Sequence, residues 1–140
     1  MPNAYISGTG FYVPPHVVTN EDLRTQYGVD TTHEWIVQRT GIESRRFADE
    51  GVGTADLAVP ASLEAIRRAG IDKQDLDMIV FATLSPDHVF PGSGVYLQQK
   101  LGLCDGPDAK FVPALDVRNQ CSGFLYGLAT ATSMVKSGAA

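Results

Sequence analysis

The spacing of apolar positions along this chain changes several times, and each change predicts an element. The opening "NAYISGTGFYVPP" alternates around Ala4, Ile6 and Gly8 before reaching Pro14 and Pro15, which predicts a strand ended by a proline-bounded loop. "TNEDLRTQYG" carries helix signals: Thr19 or Asn20 as the cap, Glu21 and Asp22 at the positive end of the dipole, and Gly28 as the stop. "DTTHEWIVQRTGI" predicts a helix of about two turns, with Thr31 or Thr32 as the cap, Glu34 in the first turn and Gly41 at the end. A short strand over residues 42–47 follows.

In "TADLAVPASLEAIRRAG", Leu57, Ala61 and Ala65 form one line, with Ala58, Ser62, Ile66 and Ala69 beside it, a helical pattern. Pro60 interrupts it, so the regular part is expected to start at Val59, which makes the proline a first-turn residue. The nearly continuous apolar run over residues 78–84 predicts a strand buried on both faces. A helix from Ser93 to Lys100 is expected next, ending near Gly102, and "AKFVPALDV" supplies a second buried strand over residues 111–117. "CSGFLYGLATATSMVKSG" predicts a last helix, ending near Gly138. The alternation of strands and helices implies an α/β fold with helices against a sheet. No strand returns after the last helix, so the expectation is that Ala140 is not the natural end of the domain.

Composition narrows the classes. A chain of 140 residues suits one domain, since domains commonly span ~100 to 150 residues. With 44% hydrophobic and 19% charged residues it reads as globular rather than disordered. The net charge of −5 comes from scattered acids, and no basic block is present to neutralise phosphates, which argues against nucleic acid as a partner. No apolar run has the length of a membrane span and the N-terminus lacks a signal-peptide pattern, so a cytoplasmic setting without a membrane is expected. Cys104 and Cys121 have no CxxC spacing and no His pair beside them. Neither a metal site nor a disulfide framework is signalled.

The stretch "ALDVRNQCSGFLYGLA" carries the strongest candidate chemistry. Cys121 falls between the strand over residues 111–117 and a helix that begins within a residue or two of it. N–H groups at a helix start are unpaired within the helix and the dipole there is positive, which favours a thiolate and can stabilise an oxyanion. Ser122 and Gly123 are small enough for a substrate carbonyl to approach. A core thiol remains the alternative, since free cysteine is among the most buried residue types. Cys104, in "LGLCDGP", has no such setting and reads as a loop or packing residue. A thiolate also needs a base, and His16, His33 and His88 all fall in loop or helix-surface contexts.

Six blocks, in order along the chain, add a resemblance: "ISGTGFYVP", "TNEDL", "DTTHEWIVQRTGIESRR", "TADLA", "DMIVFATLSPDHVFPG" and "DVRNQCSGFLYGL". Together they resemble the N-terminal part of the β-ketoacyl-acyl-carrier-protein synthase III family, condensing enzymes of thiolase fold that start type II fatty acid synthesis. The resemblance implies the N-terminal half of a thiolase-like fold, a mixed sheet with helices on both faces that lacks its last strands and the C-terminal half. It implies that Cys121 takes a short acyl group, such as acetyl, from acyl-CoA as a thioester. Malonyl-acyl-carrier protein, on losing carbon dioxide, would then attack that thioester. The Cys121 N–H would serve one oxyanion hole. Trp35 matches a tryptophan that stacks on the adenine of coenzyme A, with Thr31 and Arg39 lining the same entrance. Phe90 matches a residue at the family's homodimer interface that reaches the acyl pocket of the other subunit. No cofactor is implied beyond the coenzyme A thioester itself.

Two departures stand out. Arg118, Asn119 and Gln120 replace the small residues that many members carry before the cysteine, a variant at the pocket wall. The family's histidine and asparagine, which promote decarboxylation, belong to the C-terminal half, and none of His16, His33 and His88 occupies their positions. These 140 residues alone are therefore expected not to complete condensation. Two alternatives stay open: a related condensing enzyme of polyketide, quinolone or olefin synthesis, and a truncated, non-catalytic module.

Overall fold

The computed structural model describes residues 3–106 and 109–140. In chain order the elements are β1 (His16–Thr19), α1 (Asn20–Thr25), α2 (His33–Thr40), β2 (Ser44–Phe47), α3 (Thr54–Ala69), a 3-10 turn (Lys73–Asp75), β3 (Ile79–Ala82), α4 (Ser93–Lys100), β4 (Ala114–Val117) and α5 (Gly123–Ser137). The chain divides into two compact units, Val13–Val52 and the remainder.

Within Val13–Val52, β1 and β2 pair antiparallel, from His16 opposite Phe47 to Thr19 opposite Ser44. Thr19 caps α1 in a reciprocal box: its hydroxyl accepts from the Asp22 N–H (3.1 Å), and the Asp22 carboxylate accepts from the Thr19 N–H (2.8 Å). The Thr19 hydroxyl, bonded to the Asp22 carboxylate, and then the Thr19 N–H hold that carboxyl below its ordinary range. Asn20 is fully buried and fully used, as a buried amide must be. It donates to the Ile42 carbonyl (2.8 Å), accepts from Arg45 (2.5 Å) and lies 3.3 Å from His33 Nδ1. One side chain thus fastens the start of α1 to the start of α2 and to the segment entering β2. For α2, Thr32 rather than Thr31 is the cap, accepting from the Trp35 N–H at 3.1 Å. Gly41 closes the helix in the left-handed conformation (φ 70°), which glycine adopts without a Cβ penalty.

In the other unit β3 and β4 pair parallel, from Ile79 opposite Ala114 to Ala82 opposite Val117. Side chains alternate across a strand, so Ile79 and Phe81 face one way and Val80 and Ala82 the other. On the first face Ile79 and Phe81 join Leu97, Leu101, Leu103 and Val112 in the buried core under α4. On the second, α5 approaches through Gly127, where a Cβ would lie 3.3 Å from the Ala82 Cβ. Helices therefore cover both faces, and the expected α/β class holds.

Several local expectations are corrected. The run over residues 78–84 forms a strand only at Ile79–Ala82, with Ile79 and Phe81 buried but Ala82 exposed, so burial on both faces is incomplete. The following strand begins at Ala114, and Phe111, expected inside it, is 96% exposed. The opening segment forms no ladder up to Pro15. Its glycines lie instead against the backbone of α3, since a Cβ on Gly10 would fall 1.8 Å from the Ala61 carbonyl oxygen. Most strongly, α3 runs from Thr54 with Pro60 inside it, rather than starting at Val59. The cost of one missing hydrogen bond is offset at its N-terminal end. Asp87 accepts from the Ala55 N–H (3.1 Å), and Asp56 accepts from the Gly53 N–H (3.0 Å) and pairs with Lys100 of α4 (2.6 Å). Lys100 and then the Gly53 N–H hold the Asp56 carboxyl below its ordinary range, while Asp56 raises Lys100. Among the described residues, no helix is long and apolar enough to cross a membrane.

Candidate functional site

β4 ends at Val117, α5 begins at Gly123, and Cys121 stands exposed on the turn between them. Within this chain the thiol is not part of the buried core. The turn is tight: the Gly123 N–H donates to the Gln120 carbonyl at 2.8 Å, and the Gln120 N–H donates to Asn119 Oδ1 at 2.8 Å. Ser122 occupies the cap position but makes no side-chain capping bond, so it does not take up the first-turn N–H groups of α5. A free thiol beside such donors has the local arrangement that acyl transfer uses. Cys104 is also free and exposed, in a turn after α4 rather than at a helix start.

A carboxylate network supports this end of the sheet. Asp116 of β4 accepts from the Ser93 N–H (2.7 Å) and the Gly94 N–H (2.8 Å), capping α4 from the neighbouring strand. Ser93, fully buried, donates its hydroxyl to Asp87 (2.6 Å) and accepts from the Asp87 N–H (3.0 Å). Asp87 in turn meets the first turn of α3 through Ala55. Two helix starts and one strand end are thereby locked to the segment 85–92, which carries Phe90. Phe90 itself is 87% exposed. Arg118, at the exit of β4, reaches this segment too: its Nη2 donates to the Val89 carbonyl and, at 3.4 Å, to the His88 carbonyl.

The other expected residues gather within Val13–Val52. Trp35 is 53% exposed. The Arg39 guanidinium lies over its ring, 4.4 Å from the centroid, and its Nη1 approaches the Trp35 carbonyl at 3.5 Å. A cleft of about 400 Å³ is lined by Val29, Asp30, Thr31, Thr32 and Trp35. Thr31 Oγ1 is buried there with no hydrogen-bond partner. An orphaned buried hydroxyl costs on the order of 1–3 kcal/mol. The structure thus brings Thr31, Trp35 and Arg39 together in one unit, while Cys121 and Phe90 belong to the other. His16 meets Phe47 edge-on, His33 neighbours Asn20, and the His88 ring lies 4.8 Å from Tyr96. Among the described residues, no group of His, Cys, Asp and Glu is arranged to hold a metal.

The family model for 3-oxoacyl-[acyl-carrier-protein] synthase III matches residues 115–140, the strand end, Cys121 and α5. Over 99% of the chain, the sequence is 49% identical to the β-ketoacyl-[acyl-carrier-protein] synthase III of Laribacter hongkongensis. The chain is similar, over nearly its whole length, to part of the synthase III proteins. It spans 41% of that relative's length. Two solved synthase III structures carry the same fold. That from Aquifex aeolicus is 44% identical, with a TM-score of 0.82 over 95% of this chain and 40% of that one. That from Thermus thermophilus is 37% identical, with a TM-score of 0.83 over 98% and 40%. The expected fold, a part-length thiolase-like α/β architecture, is therefore correct.

Sequence reasoning missed the Asp87, Ser93 and Asp116 network and the reach of Arg118. One signal was present, since a carboxylate inside the apolar strand "ALDV" requires partners. The Trp35 and Arg39 pair was also legible without the family, because side chains four apart on a helix are neighbours.

Proposed function

We propose that the protein containing this chain is a 3-oxoacyl-acyl-carrier-protein synthase III that joins a short acyl-CoA to malonyl-acyl-carrier protein. The observation that carries this reading is the exposed thiol of Cys121 at the start of α5, inside the stretch that matches the family. The Cys121 thiolate attacks the acyl-CoA carbonyl, the tetrahedral oxyanion is met by backbone N–H groups at the helix start, and coenzyme A leaves as its thiolate, which takes its proton from solvent. The decarboxylated malonyl carbanion then attacks the thioester and frees the cysteine. In this reading Trp35 stacks on the adenine, Arg39 moves off the ring to admit it, and Thr31 lines the same entrance. Phe90 closes an acyl pocket across a homodimer, in the cytoplasm.

The test is product formation by the full protein from acetyl-CoA and malonyl-acyl-carrier protein. A 3-oxoacyl product supports the reading, and its absence with a thioester still formed points to the related condensing enzymes. Residues 1–140 alone are expected to yield no product, for want of the decarboxylating histidine and asparagine, and turnover by them would sink that expectation. A second expectation concerns the cleft. Trp35→Ala raises KM for acetyl-CoA by about tenfold, since one base stacked on an aromatic ring is worth ~1–3 kcal/mol. The same substitution leaves acylation by a pantetheine thioester, which has no adenine, nearly unchanged. Equal losses with both donors would remove Trp35 from adenine recognition.

A further inference from the structure

The segment 85–92 is fastened at both ends but not at its crest. Thr54 Oγ1 donates to the Ser85 carbonyl at 2.6 Å, and Asp87 is held by Ala55 and Ser93. At the far end, Asp116 holds the Ser93 and Gly94 N–H groups. Between these points His88, Val89 and Phe90 run over the surface, with Val89 83% and Phe90 87% exposed. Among the described residues, the hydrogen bonds that reach the backbone of this crest come from Arg118. The guanidinium suits the task because its Nη2 carries two N–H donors, which reach two successive carbonyls. Arg118 follows β4 directly and precedes Cys121 by one short turn. The clamp therefore ties the position of an exposed apolar pair to the segment that sets the position of the thiol.

We propose that Arg118 is a positioning residue that fixes the Val89 and Phe90 crest relative to Cys121 and thereby sets which acyl chain lengths the protein accepts. The specificity part rests on the proposed function, in which Phe90 borders the acyl pocket; the clamp itself does not. A loose crest changes the depth available to the acyl chain, and a pocket that gains or loses a methylene's space alters discrimination rather than the chemical step. Arg118 touches no reacting atom in this account, so acetyl transfer to Cys121 persists without it.

The experiment uses the full protein as wild type, Arg118→Ala and Arg118→Lys, with two readouts. The first is thermolysin cleavage on the N-terminal side of Val89 or Phe90, followed by mass spectrometry. Arg118→Ala accelerates cleavage there by about tenfold, and Arg118→Lys, which keeps one charged donor, lies between. The second is the ratio of kcat/KM for acetyl-CoA to that for hexanoyl-CoA. Arg118→Ala shifts it by about tenfold, and Arg118→Lys restores it in part. Unchanged cleavage at the crest overturns the clamp. Faster cleavage with an unchanged ratio, or equal losses on both substrates, overturns the specificity role. If the wild type forms no thioester with either substrate, the proposed function fails and the specificity role with it, and the cleavage arm still decides the clamp.

Discussion

Cys121→Ala in the full protein stops acyl-thioester formation while the protein stays folded. Within this chain the thiol is exposed, and Cys→Ala removes one sulfur atom, so the substitution is expected to leave the fold intact. Its loss removes the only step by which the acyl group leaves coenzyme A in the proposed reaction, so turnover falls on the order of 10⁴-fold or more. Intact-mass measurement after incubation with acetyl-CoA reads this directly: wild type gains one acetyl group, Cys104→Ala gains one, and Cys121→Ala gains none. Labelling of Cys104 instead, or of both thiols equally, would reject Cys121 as the nucleophile. Iodoacetamide near neutral pH gives a second comparison, with Cys121 expected to react faster than Cys104.

Gly10→Ala is the substitution expected to cost most in stability. A Cβ there would lie 1.8 Å from the Ala61 carbonyl oxygen and 2.7 Å from the Ala65 nitrogen, and at Gly8 2.4 Å from the Ala65 carbonyl oxygen. These are backbone atoms of α3, which cannot rotate out of the way, so the opening segment must lift off the helix. Overpacking of this kind costs at least ~1–3 kcal/mol, a fall in Tm of about 5 °C or more. Thermal unfolding of Gly10→Ala beside Gly123→Ala makes the comparison, because a Cβ on Gly123 meets only the Asn119 Cβ at an ordinary 3.8 Å. Adding Ala61→Gly to Gly10→Ala brings no recovery, since the clash is with the carbonyl and not with the Ala61 side chain. Equal Tm values for Gly10→Ala and Gly123→Ala would show that the segment does not pack on α3 this closely.

The two substitutions mark where reading along the chain succeeds and where it stops. Thr32, Gly41 and Gly138 could be read as helix ends because capping is settled within a turn of the helix: a hydroxyl reaches an N–H three residues on, and a glycine takes a positive φ. The bounds of α4 and the start of α5 just after Cys121 followed from the same short-range signals. So did the candidacy of Cys121, because a cysteine between an apolar strand and a helix start is a local feature. The ligand expected at Thr31, Trp35 and Arg39 came from resemblance, although the grouping of Trp35 and Arg39 on one short helix was within local reach.

Tertiary structure decided the rest, because the deciding atoms lie far apart in sequence. Alternation in the opening segment is compatible with a strand, but a strand exists only where a partner offers a ladder, and here Gly8 and Gly10 meet α3 more than fifty residues later. Pro60 breaks a helix in isolation, yet α3 continues through it because Asp87 and Lys100 secure its first turns from other elements. Whether Cys121 was a core thiol or an exposed one turned on packing, and no spacing rule measures exposure. The reach of Arg118 to His88 and Val89 is likewise a contact between a strand exit and a distant loop, and it can be seen only once β3 and β4 have paired and brought those two ends to the same edge of the sheet.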